Sequence, residues 1–258
     1  MNKKRTRIIM LCGPGQSSKI MYNGLAQRFD VELVISEDKP SSWRLLKRRI
    51  KNLGILKVLG QLCFMAFNRL VLQRSQKRRI AELMELYHLD ASAPPETVTQ
   101  HVDSINAESV MATLKRRDPD AVVVNGTRII SGKVLSCIDK PFINTHVGIT
   151  PRYRGVHGGY WALANRDPLN CGVTVHLVNT GIDTGGVLYQ RTISPEKKDG
   201  FNTYPIHQIA AAIPLMRSAL LDVSNLELKV TPGVAPSQLW YHPTLVEYLK
   251  ARILFGVK

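Results

Sequence analysis

The run Arg7-Ile-Ile-Met-Leu-Cys12 is short, apolar and halted by Gly13-Pro14-Gly15. A run of this kind reads as a buried strand entering a tight turn. Ser17 and Ser18 stand where they can cap a helix reaching about Phe29, and Val31-Glu-Leu-Val-Ile35 reads as a second strand. Strand, turn, helix, strand is a βαβ unit. It commits the chain to a parallel sheet whose loops gather at the carboxyl edge.

The rest of the chain continues in that style. Residues 41–87 are helical in period, and the stretch from Ala91 to Pro95 punctuates them. A further helix is expected at 105–116, and the apolar run Ala121-Val-Val-Val124 suits a central strand buried on both faces. Ile143-Asn-Thr-His146 and Gly172-Val-Thr-Val-His-Leu177 read as strands, with a loop at 151–159 and a short helix from Tyr160 between them. A helix is expected at 205–223, followed by a mixed tail. The expected architecture is α/β: a Rossmann-like, mostly parallel sheet flanked by helices, with a short C-terminal extension. The expected organisation is a catalytic domain at 1–200, interrupted by a basic helical insertion at about 41–88, with 201–258 packed on it.

At 258 residues the chain can bury a sizeable core. Its four cysteines, Cys12, Cys63, Cys137 and Cys171, show no metal-ligand spacing and read as reduced thiols, so no metal is expected. The basic opening at 1–7 meets only a short apolar run before glycine, which is a strand and not a secretory segment. The apolar stretch 53–72 is interrupted by Lys57, Gln61, Asn68 and Arg69, so a membrane-spanning helix is not expected there. The expected location is the cytoplasm.

The net charge of +15 is concentrated. Between 41 and 80 lie Arg44, Lys47, Arg48, Arg49, Lys51, Lys57, Arg69, Arg74, Lys77, Arg78 and Arg79, with no Asp or Glu. Such a run attracts phosphates, a nucleic acid or an anionic membrane face, unless it is only a solvated surface.

Residues two apart on a strand share a face, so Asn144 and His146 project side by side from one strand end. Asp183 sits in a glycine-bearing loop, Gly181-Ile-Asp-Thr-Gly-Gly186. An amide N–H can stabilise an oxyanion, an imidazole can take a proton near neutral pH, and a carboxylate can fix the imidazole's state. Together they suit acyl transfer to an amine, which brings its own nucleophile. Each alone is more often structural. His176 reads as a packed strand-face histidine, His157 equally as a solvated loop residue or one that touches substrate, and Trp161 more readily as core than as a stacking platform.

Residues 119–190 resemble the folate-dependent formyltransferases, which act on glycinamide ribonucleotide, methionyl-tRNA or nucleotide sugars. The likeness runs through N-x-H-x-x-x-x-P-x-x-R-G at Asn144, His146, Pro151, Arg154 and Gly155. It continues through Trp161-Ala-Leu163, Asn165-Arg-Asp167, Gly172-Val-Thr174-Val-His176 and Asp183-Thr-Gly185-Gly-Val-Leu188. The resemblance implies that Asn144, His146 and Asp183 are catalytic. It implies that Arg128, Ile129 and Ile130, with Val178, Asn179 and Gly181, hold the pterin of N10-formyltetrahydrofolate. Relative to the commonest pattern, the pterin segment is one residue short after Gly126.

For the acceptor, the loop residues Arg152, Arg154, Gly155, His157, Tyr160 and Trp161 are candidates. So is the turn of Gly13, Gly15 and Ser17, whose N–H groups suit an anion at a helix start. Members acting on tRNA typically carry a longer C-terminal barrel than the residues that follow Asp183 here, which disfavours a nucleic-acid partner. The expected partner is a nucleotide-linked amino sugar used in surface polysaccharide such as lipopolysaccharide O-antigen. Peripheral contact with an anionic inner membrane face and a homodimer are further expectations. Glycinamide ribonucleotide, methionyl-tRNA or another amine is the alternative acceptor, and an idle relative that only binds folate or an anion is the alternative of another class.

Overall fold

The computed structural model describes residues 5–38, 42–233 and 236–258. Residues 1–4 of the basic opening and Ser41, the expected start of the basic helical stretch, lie outside the described residues.

β1 (Arg7–Cys12), α1 (Gln16–Ala26) and β2 (Asp30–Glu37) form the βαβ unit, with β1 and β2 parallel. The two serines do not cap α1. Gly15 is the N-cap, and both hydroxyls turn to Asn125, whose Nδ2 lies 3.2 Å from each. There follow α2 (Ser42–Leu53), α3 (Ile55–Phe67), α4 (Gln73–Leu86), β3 (Thr99–Val102), α5 (Glu108–Arg117), β4 (Ala121–Asn125) and α6 (Gly132–Leu135). The second half holds β5 (Phe142–His146), β6 (Arg154–Gly155), α7 (Gly158–Ala164), β7 (Gly172–Leu177), β8 (Val187–Thr192), α8 (Tyr204–Asn225), β9 (Leu239–Trp240) and α9 (Leu245–Phe255). The edge strands β3 and β8, the short pair β6–β9, and α9 carry patterns too short or too mixed to stand out in sequence.

The main sheet runs β3-β2-β1-β4-β5-β7-β8. Its strands are parallel from β3 to β5, and β7 and β8 run antiparallel. Side chains alternate across it. Ile8, Met10, Ala121 and Val123 pack with α1 and α8 on one face, while Ile9, Leu11, Val122 and Val124 pack with α5 on the other. Each large apolar side chain buried this way contributes about 1.5–3 kcal/mol. The chain leaves β1 for β2 on one side and later returns through β4 on the other. Such a reversal opens a crevice at the carboxyl ends of the strands.

A third apolar cluster joins α3, α7, α9 and the start of α8 through Phe64, Tyr160, Trp161, Phe201, Tyr204 and Tyr248. A π-turn at Asn68–Leu72 fuses α3 and α4 into one helix, Ile55–Leu86. The sequence reading expects no helix able to span a membrane at 53–72, because Lys57, Gln61, Asn68 and Arg69 interrupt the apolar run; the continuous helix is nonetheless long and apolar enough on average. By length and composition alone it could cross a membrane, yet one face is tied to the domain. Gln61 Nε2 donates to the His242 carbonyl at 2.8 Å, Gln76 Oε1 accepts from the Asn202 N–H, and Arg79 pairs with Asp199 at 2.7 Å.

Asp199 is fully buried, and it also accepts from His207 Nε2 at 2.9 Å. Asp199→Ala would strand the Arg79 guanidinium without its closest partner. It is expected to cost about 3–5 kcal/mol in urea unfolding. A loss below about 1 kcal/mol would show that Arg79 re-pairs with Glu196 or Glu82 without penalty.

Candidate active site

The carboxyl ends of β4 and β5, the end of β7 and the loops after them enclose a cleft of about 440 Å³. Asn144, His146, His176 and Asp183 line it together. Asn144 and His146 share a face of β5, and antiparallel pairing with β7 sets His176 directly opposite Asn144. Asp183 enters from the β7–β8 loop with φ at 50°, a left-handed conformation that Asp tolerates better than most residues.

The bonds fix how each group is presented. His176 Nδ1 lies 2.7 Å from the Leu177 carbonyl, so that nitrogen donates and Nε2 is left as an acceptor in the neutral ring. Asn144 Nδ2 donates to it at 3.1 Å, which orients the amide. His146 Nε2 donates to the Tyr153 carbonyl at 2.7 Å. Its Nδ1 then faces Asp183 Oδ2 at 3.2 Å, while Asp183 Oδ1 lies 3.6 Å from His176 Nε2. The Gly155 N–H donates to Asp183 Oδ2 at 2.9 Å, and Arg154 donates to the Ile182 carbonyl at 2.8 Å. Arg154 and Gly155 thus hold the Asp183 loop.

Residues 71–204, just over half of the chain, match the formyl transferase family. The chain belongs to that family. Over 139 residues it is 31% identical to a methionyl-tRNA formyltransferase of Halothermothrix orenii, covering 53% of this chain and 41% of the relative. Over 109 residues it is 30% identical to a GDP-perosamine N-formyltransferase of Brucella melitensis, covering 42% of each. The chain spans less than half the length of these relatives. Its fold is similar to glycinamide ribonucleotide transformylase 1 from Symbiobacterium toebii: TM-score 0.56 and 16% identity, covering 91% of this chain and 96% of that one.

In this chain, burial pushes the His146 pKa down although Asp183 opposes it. Burial would raise the Asp183 carboxyl, but His176, His146 and the Gly155 N–H together hold it below the ordinary range. His146 Nδ1 and Asp183 Oδ2, 3.2 Å apart, therefore compete for one proton. Two acceptors in contact leave a place for one proton.

Arg128, Ile129, Ile130, Val178, Asn179 and Gly181 all line the same cleft. Arg128 supports it from behind. Its side chain pairs with buried Glu37 and donates to the Asp38 and Asp103 carbonyls, so it props the loop after β4. Asn106 staples that loop by donating to the Ile129 carbonyl and accepting from the Ser131 N–H. Apolar side chains beside such a fixed backbone suit a flat, polar-edged ring like a pterin.

Several acceptor candidates lie elsewhere. Tyr160 and Trp161 are buried in the third apolar cluster, with the Trp161 indole donating to the Tyr241 carbonyl. They are core and not available to a substrate. Arg152 is exposed and paired with Asp167 at 3.2 Å. His157 is half-buried against Phe201 and bonded to His242 at 3.0 Å, outside the cleft lining. Gly13 lines a separate cavity of about 240 Å³ with Ser18, Lys19 and His101, and Ser17 is engaged by Asn125. Sequence reasoning missed His176, and it missed Leu239, Trp240 and Tyr241, which reach the cleft from the tail. The one available signal for His176 was its place two residues after Thr174 at a strand end.

Burial lowers His157 to about 3 and His242 to about 4, from 6.5. Below pH 6.5 the unfolded chain therefore binds protons that the folded chain refuses. Stability should fall as pH drops from about 6.5 toward 4 and 3. Urea unfolding at a series of pH values reads this slope, and His157→Gln should flatten it. An unchanged slope would exclude the pair as its source.

Proposed function

We propose that this chain transfers a formyl group from N10-formyltetrahydrofolate to an amine, and that the acceptor is a nucleotide-linked amino sugar. The carrying observation is the single cluster of Asn144, His176, Asp183 and His146 on the wall of the 440 Å³ cleft. When bound, the folate supplies the formyl carbon, which passes from N10 to the acceptor nitrogen. Asn144, oriented by His176, offers an amide N–H to the formyl oxygen as negative charge builds there. The His146–Asp183 pair has room for the proton that the attacking amine must release, and can return it to N10 as the bond from the formyl carbon to that nitrogen breaks. The apolar slot formed by Ile129, Ile130 and Val178 excludes water from the donor ring.

The sugar acceptor rests on two supports. One matching relative bears the name GDP-perosamine N-formyltransferase. The tail also turns Tyr241, 39% exposed, into the cleft, where an aromatic face suits a sugar or base. We place the reaction in the cytoplasm, and four free thiols suit a reducing compartment.

The test follows release of tetrahydrofolate from N10-formyltetrahydrofolate with a panel of nucleotide-linked amino sugars, glycinamide ribonucleotide and methionyl-tRNA. Turnover confined to the sugars supports the proposal. Turnover with another amine alone replaces the acceptor. Folate binding without any turnover would favour an idle binding relative.

A further inference from the structure

The face of α3 turned away from the domain is as apolar as the face packed on it. Val58, Phe64 and Leu72 point inward and are buried. Ile55, Leu56, Leu59, Leu62, Leu70 and Val71 are exposed, with Leu56 at 82%. A surface helix normally turns polar residues to water, and one that is apolar all round has a second apolar neighbour. α9, packed beside α3, adds exposed Val246, Ile253 and Leu254.

The exposed charges flanking α3, between Arg48 and Arg74, are of one sign. Arg48, Lys51, Lys57, Arg69 and Arg74 are exposed, and among the described residues none of them pairs with a carboxylate. Trp43, 63% exposed with Lys47 5.2 Å from its ring, stands on neighbouring α2. An apolar strip of roughly 25 Å flanked by cations and an amphipathic aromatic matches the boundary between acyl chains and acidic headgroups. We propose that α2 and α3 dock this protein on an anionic membrane surface, with the α3 leucines entering the headgroup boundary.

Alternative occupants match less of the surface. A nucleic acid would pair with the arginines and leave the leucines in water. A second copy laid face to face would oppose two cationic rims. Spanning is ruled out by the tethers of Gln61, Gln76 and Arg79, which hold the inner face on the domain. The helix therefore lies on the membrane and does not cross it.

The test is cosedimentation of the full chain with phosphatidylcholine vesicles and with vesicles of phosphatidylcholine mixed with phosphatidylglycerol. Expected is binding to the mixed vesicles that weakens steadily with added salt, and little to phosphatidylcholine alone. Leu59→Glu with Leu62→Glu, both at exposed positions, should lower mixed-vesicle binding by about tenfold or more at unchanged melting temperature. Arg48→Gln, Lys51→Gln and Lys57→Gln together should weaken binding and flatten its salt dependence. Equal binding to both vesicle types, or parent-like binding by the double glutamate variant, overturns the proposal. So does a dimer in sedimentation equilibrium that dissociates in that variant while no vesicle binds.

Discussion

Asp183→Asn is expected to lower kcat for formyl transfer by about 10²–10⁴ while leaving the melting temperature near that of the parent. The substitution keeps the size of the side chain and tolerates the left-handed backbone at φ 50°, where alanine would add strain. It removes the charge that His146 and His176 both face. His146→Ala should lose kcat on the same scale, since proton uptake then has no imidazole to use. If the pair works as one unit, the double variant should be little worse than either single one. A sum of two independent losses, or either single variant keeping near-parental kcat, would separate these residues from proton transfer. Because Asp183 titrates below the ordinary carboxylate range, the pair should keep its carboxylate well into mild acid.

The second large effect is expected from a residue without a side chain. A β-carbon on Gly148 would sit 2.4 Å from the Tyr153 carbonyl oxygen and 2.7 Å from His146 Nε2. That carbonyl is the acceptor that fixes the His146 ring. Gly148→Ala must push the backbone away from the histidine, displace the ring, or do both. Overpacking of this kind costs about 1–3 kcal/mol. Misplacing a reacting group by about 1 Å lowers a rate on the order of 10²-fold. Activity should therefore fall further than the loss of stability explains. A thermal melt and a saturation curve on the same preparation decide this. Parental kcat in Gly148→Ala would mean that the 148–158 loop yields without moving His146.

The site was legible in sequence where its logic is local. Strand alternation alone sets Asn144 and His146 on one face, and the glycine-bearing loop brings up Asp183. His176 was not legible in that way. Its partnership with Asn144 depends on the register of β5 against β7, and a register between strands thirty residues apart leaves no local mark. Tyr160 and Trp161 misled for a related reason. Aromatic residues after a glycine loop look the same whether they face a ligand or Phe201 and Tyr248. The fold was carried by β1, β4 and β7, whose apolar runs are complete in themselves. Short β6 and β9 exist only because Arg154 and Leu239 meet across the chain.

Gln61 is a small detail of α3 with a wide consequence. Its amide holds the His242 carbonyl, one residue from Tyr241 on the cleft wall. Displacement of the helix would therefore reach the proposed acceptor surface through this hydrogen bond as well as through the packing of Phe64 on Tyr248. Thermodynamic reciprocity makes such a link run both ways. Whatever factor a docked helix applies to acceptor affinity, a filled cleft must return to the attachment of the helix. On the proposed function, substrate would then govern how long the protein stays where it has landed, and a Gln61→Ala chain would link landing and acceptor binding more weakly.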